Sequence, residues 1–233
     1  MSPSVQSQCV NVPARMRLVL LGAAGVGKSS LIRRFLHNRF DHKYTRTVEE
    51  LHALECSAGP EGPHMCIEIL DTSGSYSFPA MRELSIKHSH AFCLVYAVND
   101  PASFSEVIRL RQEILALRGG AERQGAGPAV MVVGNKADLR GGEGRVLVSG
   151  DVMSVVEQEW GAGFVEASAL TGENTVEVFQ ALLQPVMSSH KDTVMSSHLS
   201  PALWRLRDTV PRVTKDRQKK KGLMKKNNSC LLS

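Results

Sequence analysis

The chain has 233 residues, of which 42% are hydrophobic, and this size suits one domain with an ample core plus additional segments. No apolar run approaches the ~18 residues of a membrane-spanning helix, and the first 14 residues lack the basic start and apolar middle of a signal peptide, so we expect a cytosolic protein. The five cysteines are odd in number and form no C-x-x-C pair, which argues against a disulfide framework or a zinc site.

Charge is unevenly distributed along the chain. The net charge is +5, but residues 203–233 carry ten Lys or Arg against two Asp, so this segment carries +8 and the remainder −3. A basic segment beside a mildly acidic domain indicates a tail that meets an anionic surface. We expect a flexible start over 1–14, a folded domain over 15–187 and a flexible tail over 188–233.

Apolar runs alternate with segments of helical period throughout the predicted domain. The glycines and prolines of 58–63 mark a tight turn between two of the strands, which predicts a hairpin. Strands alternating with helices predict an α/β fold: a six-stranded, mostly parallel sheet with one antiparallel hairpin strand and helices on both faces. The predicted strands are 15–21, 51–57, 64–70, 91–98, 130–133 and 164–167, and the predicted helices are 27–37, 81–88, 100–118, 151–160 and 175–184.

The stretch after the first strand has the spacing G-x-x-x-x-G-K-[ST], between a strand and a helix. Such a loop points backbone N–H groups at a β-phosphate, its lysine reaches the β/γ-phosphates and its last hydroxyl binds Mg²⁺. A glycine-rich turn that binds nothing is disfavoured because motif and context coincide. The residues predicted to hold a nucleoside triphosphate here are Gly22, Ala23, Ala24, Gly25, Val26, Gly27, Lys28, Ser29 and Ser30.

Two further positions are candidates for the metal and the γ-phosphate. Asp71 ends a strand on the same edge as the phosphate loop, where a carboxylate can hold Mg²⁺ directly or through water. Gly74 allows a backbone N–H to face a γ-phosphate, and Thr47 is a second hydroxyl candidate for the metal. A strand-end Asp is more often a cap, and loop threonines are common, so these assignments depend on their neighbours.

The segment Asn135-Lys136-Ala137-Asp138 follows the fifth strand and predicts base recognition. A carboxylate at Asp138 can accept both N1–H and the 2-amino group of guanine, whereas adenine offers no such pair of donors. An Asn/Asp turn without a ligand is the alternative. After the sixth strand, Ser168-Ala169 would present a backbone N–H to the guanine O6.

These motifs together resemble the Ras-type small GTPases, in order and spacing, over about residues 15–187. The segment 71–86 is similar to the dexamethasone-induced Ras and Rhes branch, or to the Ras-dva proteins. The resemblance implies a P-loop G domain that binds GTP/GDP with Mg²⁺ at Ser29, Thr47 and Asp71, with Phe40 edge-on to the guanine. It implies effectors, an exchange factor and possibly a GTPase-activating protein as partners. The implied catalytic residues are Lys28, Thr47, Gly74 and Ser75, and the implied effector region is Tyr44, Thr45, Arg46, Thr47, Val48, Glu49, Glu50, Leu51 and His52, with 75–86 as the second switch.

Three positions depart from that family's pattern. The glutamine that orients the attacking water is replaced by Ser75, which is too short to span the same distance. Ala24 stands where Ras has glycine, and Leu170 where many members have lysine. We expect slow hydrolysis and a somewhat lower nucleotide affinity. A GTP-locked binding module and a P-loop enzyme acting on ATP remain as alternatives.

The chain ends in Cys230-Leu231-Leu232-Ser233, a C-a-a-X motif whose final serine favours farnesylation of Cys230 by a prenyltransferase. Lysines over 219–226 supply the second signal that a single lipid chain needs for stable membrane binding. We expect anchoring at the cytoplasmic face of a membrane, the plasma membrane first. A solvated charge run or a nuclear localisation signal is the alternative, and nucleic-acid binding is disfavoured because no aromatics interleave the lysines.

The apolar residues of the tail give a weak local signal. Leu203, Trp204 and Leu206 could form a brief amphipathic turn that touches the membrane or the domain. Because few other apolar residues accompany them, an unstructured segment is favoured.

Overall fold

The computed structural model describes residues 14–57, 64–74, 79–118, 128–140, 146–189 and 204–205. Ser75 and Cys230 therefore lie outside the described residues. The strands are β1 (Ala14–Leu21), β2 (Glu49–Ser57), β3 (His64–Thr72), β4 (Ala91–Ala97), β5 (Ala129–Asn135), β6 (Gly163–Glu166) and β7 (Trp204–Arg205). The helices are α1 (Lys28–His37), α2 (Pro79–His88), α3 (Pro101–Arg118), α4 (Ser149–Met153) and α5 (Thr175–Ser189).

Within these ranges the strands form one sheet in the order β6-β5-β4-β1-β3-β2-β7. Strand β1 lies between β3 and β4 and is parallel to both, and β5 and β6 continue the parallel part. Strand β2 is antiparallel to β3, as the hairpin signal predicts. The predicted six-stranded, mostly parallel α/β sheet is confirmed in β1 to β6, and β7 adds a seventh strand beside β2. Strand β4 is buried at every residue, which explains its unbroken apolar sequence.

Helices cover both faces of the sheet, as predicted. On one face, α1 and α5 pack against inward side chains of β1, β3 and β4. The rings of Phe35 and Phe179 stack between these two helices, with centroids 4.1 Å apart. On the other face, α2, α3 and α4 pack against the alternate residues of β1 and β4. The parallel strands thus have both faces buried, and their carboxyl ends meet at one edge.

The helix predicted over 151–160 differs from the structure. Helix α4 begins at Ser149 and ends at Met153, and Ser154–Glu159 continue as a wider π-helical turn. The ring of Trp160 stacks on Phe104 at 6.2 Å between centroids, and the guanidinium of Arg111 lies 4.8 Å from the Trp160 ring. The widened turn ends where this large aromatic side chain packs against α3, a tertiary contact that helical periodicity alone does not encode.

Part of the C-terminal segment joins the sheet. Strand β7 pairs antiparallel with β2, with Trp204 opposite Cys56 and Arg205 opposite Glu55. This differs from the amphipathic turn or unstructured segment expected for Trp204. Strand β2 is otherwise an edge strand whose outer N–H and C=O groups can accept another strand.

In the part of the chain that the structure describes, no helix has both the length and the apolar character needed to cross a bilayer.

Candidate nucleotide-binding site

A cavity of about 320 Å³ lies at the edge of the sheet where β1, β3 and β5 end. Most residues of the predicted phosphate, metal and base motifs meet in it, although they are up to 145 positions apart in the chain. The predicted residues that line it are Ala24, Gly25, Gly27, Lys28, Ser29, Ser30, Phe40, Thr47, Gly74, Asn135, Lys136, Asp138 and Ala169. The predicted residues that contact this lining from outside it are Gly22, Ala23, Val26, Asp71 and Ser168.

The loop between β1 and α1 has the tight backbone that its glycines predict. Gly27 adopts φ +99°, and a Cβ there would lie 2.2 Å from Nδ2 of Asn135. Any larger residue would therefore be strained and would displace the Asn135 amide. Helix α1 begins at the next residue, Lys28, so its N-terminal N–H groups face the cavity.

Lys28 is folded back over the loop and is only 5% exposed. Its Nζ donates to the carbonyl oxygens of Gly22 and Ala23, both at 2.9 Å. Burial lowers the pKa of Lys28 to about 8, against the opposing charge of Asp71. An ammonium has three donors, so this buried cation retains one donor for an anion bound at the loop.

Oxygen donors gather beside Lys28. The hydroxyls of Ser29 and Thr47 are 2.6 Å apart, which joins α1 to the loop before β2. Asp71 is 1% exposed, and its Oδ1 has no hydrogen-bond partner among the described residues. Burial raises the pKa of Asp71 to about 6, against a hydrogen bond from Ser29 and the charge of Lys28. Two hydroxyls and a carboxylate with an unpaired buried oxygen fit a hard divalent cation such as Mg²⁺.

Two side chains of β2, Glu50 and His52, lie close to Asp71 in the candidate metal site. One ligand atom from each of Glu50, His52 and Asp71 lies within 4.8 Å of the other two. Burial lowers the pKa of His52, so its imidazole is biased towards the neutral form. Sequence reasoning placed Glu50 and His52 in the effector region, whereas the structure also brings them beside the metal candidate.

The base-recognition motif lies on the opposite side of the cavity. Asn135 donates from Nδ2 to Val26 O at 2.7 Å and accepts at Oδ1 from Ala169 N at 3.1 Å. The Ser168 hydroxyl donates to Oδ1 of Asp138, which orients that carboxylate. The N–H of Ala169, expected to face a guanine O6, is therefore already engaged by Asn135, and a base would share this donor. The left-handed backbone of Lys136, at φ +67°, turns the chain towards Asp138.

Comparison with known proteins agrees with this geometry. The model of the Ras family matches residues 17–188. The chain belongs to the Ras family. It is 35% identical over 206 residues to the GTP-binding protein Rhes of Mus musculus, covering 83% of this chain and 71% of that one. It is 37% identical over 168 residues to GTP-binding protein drn-1 of Caenorhabditis elegans and 39% identical over 168 residues to GTP-binding protein Di-Ras1 of Homo sapiens, covering 72% of this chain and 73% and 79% of theirs. These relatives confirm the resemblance to the Ras type and support the Rhes/Di-Ras branch.

In this Ras-family chain the segment predicted to contact effectors is largely exposed. Tyr44 is 68% exposed, Val48 82% and Leu51 48%. Such large apolar side chains in water next to a ligand cavity are typical of a surface that binds another protein. Phe40 lines the cavity and meets the His42 ring edge-on, with centroids 5.2 Å apart.

Two of the positions that depart from the Ras pattern also lie at the cavity. A Cβ at Gly74 would lie 2.4 Å from both N and Cα of Ala24, so the two backbones are in direct contact. Ala24 itself lines the cavity. Leu170 lines the cavity and is half-exposed, so its aliphatic side chain is open to a base.

The structure adds residues that no motif indicated. The Thr72 hydroxyl donates to Leu20 O at 2.6 Å, which ties the end of β3 to β1. Arg140 pairs with Glu166 and Glu173 and braces the two base loops. Arg34 reaches the loop after β6 from α1. Each connects elements distant in the chain, so local sequence carries no signal for them.

Proposed function

We propose that this chain is a membrane-tethered guanine-nucleotide switch that binds GTP/GDP with Mg²⁺ and hydrolyses GTP slowly. Membership of the Ras family, with relatives named as GTP-binding proteins, implies a GTPase switch. The observation that carries the proposal is the Asn135 side chain, which connects the phosphate loop at Val26 to the base loop at Ala169. One rigid frame thereby holds a phosphate site and a purine site at opposite ends of a single cavity.

Guanine selection rests on Asp138. Its carboxylate lines the cavity and is held by the Ser168 hydroxyl, which itself accepts from Thr171 N at 3.1 Å. A fixed carboxylate accepts the N1–H and 2-amino donors of guanine, whereas adenine would leave it without a partner. If the base preference depends on Asp138, the protein cannot be an enzyme that acts on ATP.

The variant Asp138→Asn tests this selection. The amide can donate to the 2-oxo group of xanthine and can no longer accept two hydrogen bonds from guanine, so GDP affinity should fall about a hundredfold and XDP affinity should rise. Competition of fluorescent nucleotides against GDP, XDP and ADP measures both changes. The matched control is Asp151→Asn in α4, remote from the cavity. Guanine preference that survives Asp138→Asn would contradict the assignment.

The switch itself depends on Thr47 and Gly74. In the proposed GTP form, Ser29, Thr47 and Asp71 would hold Mg²⁺, and the Gly74 N–H would face the γ-phosphate. A bound metal would supply positive charge that offsets the charge developing on the phosphates. When the γ-phosphate leaves, Thr47 and Gly74 lose the contacts that order their loops. The exposed segment Tyr44–His52 then differs between the two states, which lets effectors tell them apart, while an exchange factor resets the GTP form.

Slow hydrolysis follows from the residues beside the γ-phosphate position. Positioning of the attacking water contributes most of the catalysis in this reaction, and Ser75 is too short to take the place of a glutamine. We also propose that the methyl group of Ala24, a residue of the cavity lining, crowds the space in which an inserted arginine finger would meet the γ-phosphate. We therefore propose that the protein is largely in the GTP form. If its hydrolysis rate were negligible, it would be a binding module that stays in that form.

Restoring the missing side chain tests this account. Ser75→Gln should raise single-turnover GTP hydrolysis about tenfold or more, because an amide can then orient the water. Phosphate release from GTP-loaded protein measures the rate, and Ser105→Gln, the same change at an exposed position of α3, is the control that should leave it unchanged. A wild-type rate equal to that of ordinary Ras proteins, or no gain in Ser75→Gln, would remove the slow-turnover proposal.

Membrane attachment is proposed from the C-terminal motif and its charge. A single prenyl chain binds membranes only marginally, and each basic residue near an anionic leaflet adds about 1 kcal/mol. Cys230 and the lysines over 219–226 together supply both signals. No nucleic acid is needed to explain the basic tail.

Two variants separate the contributions to membrane binding. After farnesylation, the full chain should co-sediment with vesicles containing phosphatidylserine, and this binding should weaken in high salt. Cys230→Ser should abolish it, while replacing Lys219, Lys220 and Lys221 by Gln should weaken it and reduce its salt dependence. Equal binding of the Cys230→Ser variant would contradict lipid anchoring.

A further inference from the structure

The side chain of Arg34 joins helix α1 to the loop after β6 by hydrogen bonds, and none of the sequence motifs includes this residue. From α1, its Nε donates to Ala169 O at 2.9 Å and its Nη2 donates to Leu170 O. Its Nη1 donates to the backbone and side-chain oxygens of Asn38, both at 3.2 Å. One guanidinium therefore closes the end of α1 and holds two consecutive carbonyl groups of the loop after β6.

The support for Arg34 is rigid. Helix α1 starts at Lys28 in the phosphate loop, and its other side is packed against α5 by the stacked rings of Phe35 and Phe179. Asn38, in a left-handed conformation at φ +50°, donates its N–H to Arg34 O at 2.9 Å and ends the helix. The position of the guanidinium is thus fixed relative to the phosphate site.

Bonds within the loop, such as Gly172 N–H to Ser168 O at 2.8 Å, fix its own shape, whereas Arg34 holds two of its carbonyl groups from α1. Ala169 is 1% exposed, so its carbonyl group would be left without a partner if the guanidinium were removed. Its N–H is fixed by Asn135. Gly172 adopts φ +91°, and a Cβ there would lie 3.6 Å from Cδ of Arg34, so the loop also packs against the arginine stem. Arg34 and Asn135 therefore hold the same peptide segment from opposite sides.

We propose that Arg34 is a positioning residue for the base-recognition loop: through Ala169 O and Leu170 O it sets the guanine O6 contact and thereby the residence time of the nucleotide. This inference rests on the proposed function, because it assigns Ala169 N–H to the base. A lysine cannot replace Arg34, since a single ammonium does not span two consecutive carbonyl groups and the helix end in the way that a planar fork does.

The experiment compares Arg34→Met and Arg34→Lys with wild type, using the full chain. Arg118→Met is the matched control, because Arg118 Nη1 likewise donates to a backbone carbonyl, that of Lys87 at 2.8 Å, on the opposite face of the sheet. Dissociation of fluorescent GDP should accelerate about tenfold in Arg34→Met, less in Arg34→Lys, and not at all in Arg118→Met. Thermal unfolding of each variant shows that it is folded.

A base-analogue series distinguishes positioning from general destabilisation. The diphosphate of 2-aminopurine riboside keeps the 2-amino group but lacks both O6 and the N1–H, whereas IDP keeps O6 and the N1–H but lacks the 2-amino group. Because Asp138 accepts the N1–H in wild type and in Arg34→Met alike, a change in the preference between the two proteins reports the O6 contact. In Arg34→Met the preference for GDP over the 2-aminopurine nucleotide should shrink, while the preference for GDP over IDP, set by Asp138, should persist.

Failure of the proposed role of Arg34 and failure of the proposed function give different results in these experiments. If Arg34→Met weakens all three nucleotides by the same factor, or accelerates release no more than Arg118→Met, the positioning role is wrong. If wild type itself does not prefer GDP over the 2-aminopurine nucleotide and IDP, the proposed function is wrong instead.

Discussion

The geometry of the cavity depends on two hydrogen bonds made by the side chain of Asn135. It contacts Val26 O at 2.7 Å and Ala169 N at 3.1 Å, and so connects two loops that are more than a hundred residues apart in the chain. Gly27 makes this possible, because any Cβ there would occupy the position of the Asn135 amide. The parallel sheet brings the three segments to one edge, and the two hydrogen bonds fix the distance between a phosphate site and a base site. This fixed distance favours a ligand that carries both a phosphate group and a base.

Burial of charge is the second constraint. Lys28 and Asp71 are almost fully buried, and burial shifts the pKa of each towards its neutral form. Each partly offsets the pKa shift of the other, but Oδ1 of Asp71 has no hydrogen-bond partner in the part of the chain that the structure describes. Groups held in this way are stabilised by a bound anion and cation, because the ligand replaces the water that folding removed. The charged groups of the cavity therefore suit a ligand that brings an anionic group to Lys28 and a cation to Asp71 better than they suit an apolar ligand.

Much of this was accessible from the sequence, for definite reasons. The alternation of strands and helices fixed the α/β class, and the glycines and prolines of 58–63 marked the one antiparallel hairpin. The tight turn between β1 and α1 was predicted because its glycines permit the positive φ angles that the structure has there. The ends of elements were less accessible: β3 extends to Thr72, because that residue pairs with Glu49 of β2, and α5 extends to Ser189.

What the sequence did not reveal consists of contacts between distant segments. Arg34, Arg140 and Thr72 act through side chains whose partners lie on other elements, so no local pattern marks them. The pairing of Trp204–Arg205 with β2 was missed because a two-residue strand has no periodicity. The π-helical turn before Trp160 follows from packing on α3 and not from local sequence.

The central claim is that one frame binds a triphosphate at residues 22–29 and chooses its purine at Asp138. The most direct measurement is the nucleotide content and exchange specificity of the purified full chain with Mg²⁺, by chromatography of the released nucleotide and competition with GDP, GTP, ADP and ATP. The account predicts close to one bound guanine nucleotide per chain, not displaced by excess ATP. A chain that retains no nucleotide, or that exchanges guanine for adenine nucleotides freely, would contradict it.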